Sequence, residues 1–317
     1  MTITSPALPQ LNGGTFITDG GLETSIIYHH GIDLPLFASF PLLGSEDGRN
    51  ALRRYYRDYL DLARAKGAGF VFESATWRAS ADWGARLGYD AAALDRLNAD
   101  AIALLRELRR EYGLDARNSV ISGNIGPRGD GYLVSARMTA EEAEAYHAAQ
   151  IGTFARSGAE MVTAMTLNYA EEAIGIARAA RRAGLPVALA LTVETDGRLP
   201  DGMTLGEAIA AIDAATDMYP AYYMINCAHP SHFIATLEAG GDWKNRIRGL
   251  RVNASAKSHA ELDAATELDA GDLGELARAH HDLKRLLPPL AVVGGCCGTD
   301  HRHIDAISEA FVVEAAA

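Results

Sequence analysis

The chain has 317 residues, 48% hydrophobic and 22% charged, an ordinary globular balance that excludes wholesale disorder, collagen-like repeats and coiled-coil architecture. Its 29 basic against 41 acidic side chains leave a formal charge of −12, so no general attraction to nucleic acid or to an anionic membrane is expected. No apolar run approaches the ~20 residues that cross a bilayer, and the polar start MTITSPALPQLNGG lacks the basic head and apolar stretch of a secretory signal, so the expected address is the cytoplasm.

Short apolar runs of β character recur along the chain, each followed by a stretch with helix periodicity. The first half carries Thr15 to Asp19, Gly69 to Ala75, Ser119 to Ile125 and Glu160 to Leu167. The second half carries Pro186 to Val193, Ala221 to Cys227, Arg248 to Ala254 and Leu290 to Cys296. Helices are expected at Asn50 to Lys66, Ala91 to Tyr112, Thr139 to Ser157, Glu171 to Ala183 and Leu205 to Thr216, with Gly67, Gly113, Gly158 and Gly184 as stop signals.

Strand-then-helix alternation means parallel pairing with right-handed crossovers, and nearly continuous apolar runs mean strands covered on both faces. A doubly wound open sheet competes, but no Gly-x-Gly-x-x-Gly turn follows the first strand and no Walker loop is present. Eight runs predict a (β/α)8 TIM barrel of the α/β class. Length alone would allow two domains, yet no Pro-rich, Ser-rich or low-complexity linker divides the chain, so one domain over residues 1–317 is expected. The segment between the first two strands is too long for one crossover helix, and its irregular first part is expected to lie over one end of the barrel.

Barrel chemistry sits at the carboxyl ends of the strands. The polar residues ending the runs are Asp19, Glu73, Asn124, Thr166 with Asn168, Glu194, Asn226 with Cys227, Asn253, and Cys296 with Cys297. Three cysteines cannot form a disulfide framework, and these three would meet around one mouth. A lone buried cysteine is commonly inert packing, but vicinal cysteines flanked by Gly294, Gly295 and Gly298 have no packing rationale. Three thiolates suit zinc with a fourth position open to water or to a substrate sulfur. A closed structural site with His229 as fourth ligand is the metal alternative. A redox pair of Cys296 and Cys297 is disfavoured by the strain of a vicinal disulfide.

Three segments then carry a resemblance: Thr18-Asp19-Gly20-Gly21-Leu22-Glu23-Thr24, the strand-ending Asn226-Cys227, and Val293-Gly294-Gly295-Cys296-Cys297-Gly298-Thr299. With them the chain, from Thr18 to about Ile307, resembles the homocysteine S-methyltransferase family. The loops Ser122 to Tyr132 and Thr195 to Leu205 are similar to family segments more weakly. The resemblance implies a zinc-containing barrel that moves a methyl group from a sulfonium or ammonium donor, of S-methylmethionine, S-adenosylmethionine or betaine type, to a small thiol, first of all homocysteine giving methionine. It implies Cys227, Cys296 and Cys297 as zinc ligands and thiolate activators, and Asp19 and Gly20 as holders of the acceptor's amino-acid end. Glu73, Asn124, Thr166, Glu194 and Asn226 complete the expected substrate-binding set.

One departure matters: many members end the fourth strand with a glutamate that binds the acceptor's amino group, and here Met165 stands in that place. A different thiol or selenol acceptor, or a non-catalytic thiol- or zinc-binding relative, is therefore the alternative reading. Glu73 is expected either to touch substrate or to pair with a barrel arginine, and Asn226 to orient the ligand loop. Asn124 and Asn253 read as barrel-end hydrogen bonders, and Tyr28, Trp77, Tyr132 and Tyr169 as packing ahead of donor contacts. His29, His30, His280, His281, His301 and His303, with the Arg106 to Glu111 stretch, read as solvated faces.

Overall fold

The computed structural model describes residues 8–135 and 137–312. Eight parallel strands close a barrel in chain order: β1 (Phe16–Ile17), β2 (Gly69–Glu73), β3 (Ser119–Ile125), β4 (Met161–Leu167), β5 (Val187–Leu191), β6 (Tyr222–Asn226), β7 (Ile247–Val252) and β8 (Val292–Gly295). Closure comes from β8 pairing with β1, Phe16 against Val292 and Ile17 against Val293. Every expected run contains one strand, in each case within a few residues of its expected ends.

Two apolar layers explain why these runs are strands. Outward-facing Ile17, Phe72, Leu189, Ile225 and Val293 pack against the surrounding helices. Inward-facing Phe16, Val71, Val120, Met161, Tyr222 and Val292 fill the barrel, with Leu8 beneath them. Burying each such side chain stabilises the fold by about 1.5–3 kcal/mol, which requires apolar residues on both faces of a strand. Near the base, Gln10 Nε2 donates to Tyr222 Oη at 3.3 Å.

The crossover helices begin and end where the chain chemistry places them. Thr139 and Thr204 each form a reciprocal capping box, with Glu142 and Glu207 respectively. Gly67, Gly158 and Gly184 close their helices in the left-handed conformation. The first long helix starts at Glu46 instead of the expected Asn50, capped by Ser45 Oγ, which accepts from Gly48 N at 3.1 Å. Glycine in that first turn hides the helical pattern. It is required because a Cβ on Gly48 would lie 2.1 Å from the Leu42 carbonyl oxygen.

Two of the histidines read as solvated are buried. His280 is 0% exposed, with Nδ1 on the Leu276 carbonyl at 2.7 Å, and burial pushes its pKa down to about 4. His303 is 1% exposed and spans Asp300 and the Ala270 carbonyl. Both sit on the inner stripe of amphipathic helices, where a ring nitrogen on a backbone carbonyl lets the imidazole be enclosed. In the Arg106 to Glu111 stretch, Arg109 is half-buried and donates to Glu160 at 2.8 Å, so that face is only partly solvated. Among the described residues no helix is long and apolar enough to cross a membrane.

Candidate active site

The carboxyl-end mouth opens into a cavity of about 330 Å3 lined by Asp19, Gly20, Glu73, Asn124, Thr166, Asn226, Cys227, Cys296 and Cys297, among others. Nearly the whole expected set thus converges. The irregular segment after β1 supplies Glu23, Thr24, Tyr28 and Phe37 to the rim, as a cover over one end of the barrel would.

Cys227 follows β6 and the vicinal pair follows β8, so barrel closure gathers three sulfurs that lie all within 4.8 Å of one another. Cys227 Sγ is 3.6 Å from Cys297 Sγ, and all three cysteines are free. A tetrahedral zinc with Zn–S bonds of about 2.3 Å spaces its sulfurs about 3.8 Å apart, so the trio fits that ion. Cys227 takes φ 56°, a strained value for a non-glycine residue. Its backbone is held there by three bonds. Its N–H donates to the Arg251 carbonyl at 3.0 Å, and its carbonyl accepts from Asn253 Nδ2 at 3.0 Å and from His259 Nε2 at 2.7 Å. The vicinal pair is tied to β7: Cys296 N donates to the Val252 carbonyl at 2.8 Å, and Cys297 O accepts from Ala254 N at 3.1 Å.

Glycines let these backbones meet. A Cβ on Gly21 would stand 2.5 Å from the Cys296 carbonyl oxygen, and one on Gly294 only 2.0 Å from Thr18 Oγ1. The two glycine-bearing motifs at opposite ends of the chain are therefore two halves of one contact. Donation from the thiols of Cys227 and Cys297, with the Arg251 guanidinium close by, holds the Cys296 thiol well below its ordinary range, and the same sharing pushes Cys227 up.

Around the sulfurs the geometry revises several readings. Asp19 is buried and committed inside the protein, with Oδ1 on Arg251 Nη1 at 2.5 Å and Oδ2 accepting from Tyr55 Oη at 2.9 Å. Arg251 also donates to the carbonyls of Gly295 at 3.0 Å and Gly20 at 2.9 Å, which clamps β1, β7 and β8 together. Glu73 accepts from Thr163 Oγ1 at 2.8 Å, and burial raises its pKa to about 7 against the opposing pull of Arg251 and Thr163. Glu194 does not line the cavity. It faces His259 Nδ1 at 3.0 Å, and so stands one layer behind, because the chain turns away after β5. His229 also lies off the cavity, its Nδ1 on Ser231 Oγ at 2.8 Å, which removes the closed four-ligand alternative.

Asn226 accepts from Thr166 N and donates back to Thr166 Oγ1. Asn253 is the expected barrel-end hydrogen bonder, whereas Asn124 Oδ1 is buried without a protein partner. Asn168 Nδ2 donates to the Asp130 carbonyl at 2.9 Å and holds the loop after β3.

Tyr132 is not mere packing. Its hydroxyl is 3.0 Å from Cys227 Sγ and 3.7 Å from Cys297 Sγ, and its ring stacks on His259 at 3.9 Å. Tyr28 and Trp77 line the cavity, while Tyr169 packs away from it and accepts from Met138 N at 3.1 Å.

Residues absent from the expected set are Glu23, Arg78, Asp130, Arg251 and His259. Arg251 had a visible signal, a lone arginine inside the apolar run Leu250 to Val252. The others come from loops whose course no periodicity reveals. In total the cavity wall carries seven acidic side chains, Asp19, Glu23, Glu73, Asp130, Asp263, Glu267 and Asp269, against two arginines.

A parallel barrel whose carboxyl-end mouth gathers a polar ring and three thiols has the plan of a barrel enzyme. The chain belongs to the homocysteine S-methyltransferase family, a family of transferases, whose model matches residues 16–311. It is 27% identical over 235 residues to the methionine synthase of Mycobacterium tuberculosis (strain ATCC 25618 / H37Rv), a match that takes in 68% of this chain and 18% of that protein. The chain thus spans under a fifth of the length of that relative. Among solved structures it is similar to the homocysteine methyltransferase MmuM from Escherichia coli. The metallated form gives a TM-score of 0.73 at 19% identity, covering 94% of this chain and 96% of that one. The oxidized form gives 0.72 at 20% identity, covering 93% and 95%. At that identity the likeness speaks for the fold.

Proposed function

We propose that this chain transfers a methyl group from a small cationic donor, a sulfonium or quaternary ammonium compound, to the thiol of homocysteine, giving methionine. The observation that carries the reading is the thiol trio at the barrel mouth, set at the spacing of a tetrahedral zinc site. Cys227, Cys296 and Cys297 are the residues that would hold the ion. When bound, zinc supplies a positive charge that lowers the proton affinity of a thiol beside it.

The reaction joins the acceptor sulfur to the methyl carbon as the carbon–onium bond breaks. That bond's electron pair stays on the leaving sulfur or nitrogen, and the thiol proton goes to solvent. The chain's residues bind, orient and exclude water. Asn253 and His259 fix the Cys227 carbonyl, and His259 in turn places Tyr132 over the sulfurs. The Asp19–Arg251 pair holds the Gly20 carbonyl at the floor of the cavity. The acidic wall attracts a cation, while Tyr28, Phe37 and Trp77 offer aromatic faces at the rim. Alignment of the three reacting centres in such a site can lower the barrier by several kcal/mol, of the roughly 7–11 that full preorganisation can supply.

A different small thiol or selenol acceptor is the second reading, favoured by Met165 in the cavity wall. One experiment decides: a donor-by-acceptor screen read by mass spectrometry, with metal content measured on the same preparation. The expected result is about one zinc per chain and methionine formed from an onium donor. A metal-free, fully active preparation, or turnover confined to other acceptors, would overturn the homocysteine reading.

A further inference from the structure

One buried oxygen in the cavity wall stands without a protein donor. Glu73 is 3% exposed, and while its Oε1 is bonded to Thr163, its Oε2 has no partner. The neighbouring donors are already engaged. Arg251 spends Nε, Nη1 and Nη2 on Gly295, Asp19 and Gly20, Tyr55 donates to Asp19, and Tyr56 donates to the backbone carbonyl of Glu73 itself. Ser122 is paired with Thr163 at 2.8 Å; its hydroxyl also favours the ionised Glu73 carboxyl, yet Oε2 keeps no partner at hydrogen-bond distance.

Asn124 faces the same cavity. Strand register sets Glu73 opposite Ser122, and alternation along β3 turns Asn124 to the same inner side one step nearer the mouth. Its Oδ1 is a second buried acceptor without a partner.

Two acceptor oxygens on adjacent strands, one of them on a carboxyl group that can ionise to meet a cation, select a ligand group by its chemistry. An ammonium has three N–H donors, no acceptor and a positive charge. A sulfonium or quaternary ammonium has no N–H to give, and a carboxylate would be repelled. We propose that Glu73 Oε2, with Asn124 Oδ1 beside it, receives the α-ammonium group of the acceptor, so that these two residues restrict the enzyme to amino-acid thiols. This rests on the reading of the acceptor as homocysteine.

The electrostatics agree. The charged and titratable groups around Glu73 are Arg251 from β7, Asp19 after β1, Tyr56 from the helix Glu46–Lys66 and Tyr222 from β6. With burial dominant over that set, Glu73 holds its proton up to about pH 7. An arriving ammonium favours the carboxylate, so binding near pH 6 releases a proton from Glu73.

The test is calorimetric titration of the zinc-loaded protein with L-methionine and with its deaminated counterpart, 4-(methylthio)butanoate. Runs at pH 6 in two buffers of different ionisation heat count the protons released. Wild-type protein is expected to bind methionine with proton release and to bind the deaminated compound more weakly. Glu73→Gln keeps the Thr163 bond and is expected to lose about 10- to 100-fold in methionine affinity, with under about 3-fold change for the deaminated compound. Asn124→Ala should lose less.

Equal losses for both ligands, unchanged methionine binding in Glu73→Gln, or no proton release from the wild type would each overturn the assignment; the last measurement needs no variant. If homocysteine is methylated while methionine binding ignores Glu73, this assignment alone falls. If the wild type binds neither ligand and methylates nothing, the functional reading falls with it.

Discussion

Asn226 clasps Thr166 across the barrel, accepting from its backbone N–H at 2.9 Å and donating to its Oγ1 at 3.0 Å. Thr166 is thereby held at φ 61°, a rare conformation for a β-branched residue, at the point where β4 slips register against β5. Asn226 immediately precedes Cys227, so the same side chain ties the strained end of β4 to the strand that presents a sulfur.

Replacing Asn226 with Ala should release that strain without a compensating partner for the buried Thr166 N–H. A loss of about 1–3 kcal/mol is expected from urea unfolding, together with reduced methyl transfer as Cys227 loosens. A variant with wild-type stability and rate would show the clasp to be idle.

Removing sulfur should remove metal. Cys297→Ala and Cys227→Ser are each expected to lose bound zinc, to abolish methyl transfer and to lower the unfolding midpoint, since metal binding adds to folding free energy. Chelation of the wild type should reproduce the loss, and added zinc should restore it. Full activity of either variant after exhaustive dialysis would sink the metal reading.

The Asp19–Arg251 pair is buried on both sides. Arg251→Met leaves the Asp19 carboxylate without its cation and should cost about 3–5 kcal/mol, whereas adding Asp19→Asn should recover part of it. The check is a double-mutant cycle in chemical denaturation; additive losses would mean that the two residues do not act as a pair.

Glu73 gives a pH signature in stability as well as in binding. Its pKa rises from the ordinary 4.5 to about 7 on folding, so the protonated form is favoured in the folded protein. Its contribution is fully present below about pH 4.5 and is lost as pH climbs through about 7, a swing of up to about 3 kcal/mol. Glu73→Gln has no such proton and should gain on the wild type as pH rises from 5 to 8. Thermal unfolding at both pH values measures this, and parallel curves would refute it.

Local chemistry made much of this molecule legible from the chain alone. Apolar runs such as Ser119 to Ile125 must be strands because both their faces need cover, and Gly67, Gly158 and Gly184 must end helices because only glycine takes that turn freely. Cys227 and the Cys296-Cys297 pair were readable as one site because strand ends in a parallel barrel share one mouth. Burial was less legible. His280 and His303 look polar in sequence, yet helix packing encloses them with a backbone carbonyl for a partner.

The partnerships made by closing the ring lie beyond the reach of any reading along the chain. Asp19 meets Arg251 from 232 positions away, Tyr132 reaches Cys227 across 95, and Glu194 turns to His259 instead of to the cavity. Periodicity reports which face of an element is buried, but a charge finds its partner only when strands and loops remote in the chain are brought together. That is why the identity of the chemistry could be read in order along the chain, while the assignment of each carboxylate awaited the closed barrel.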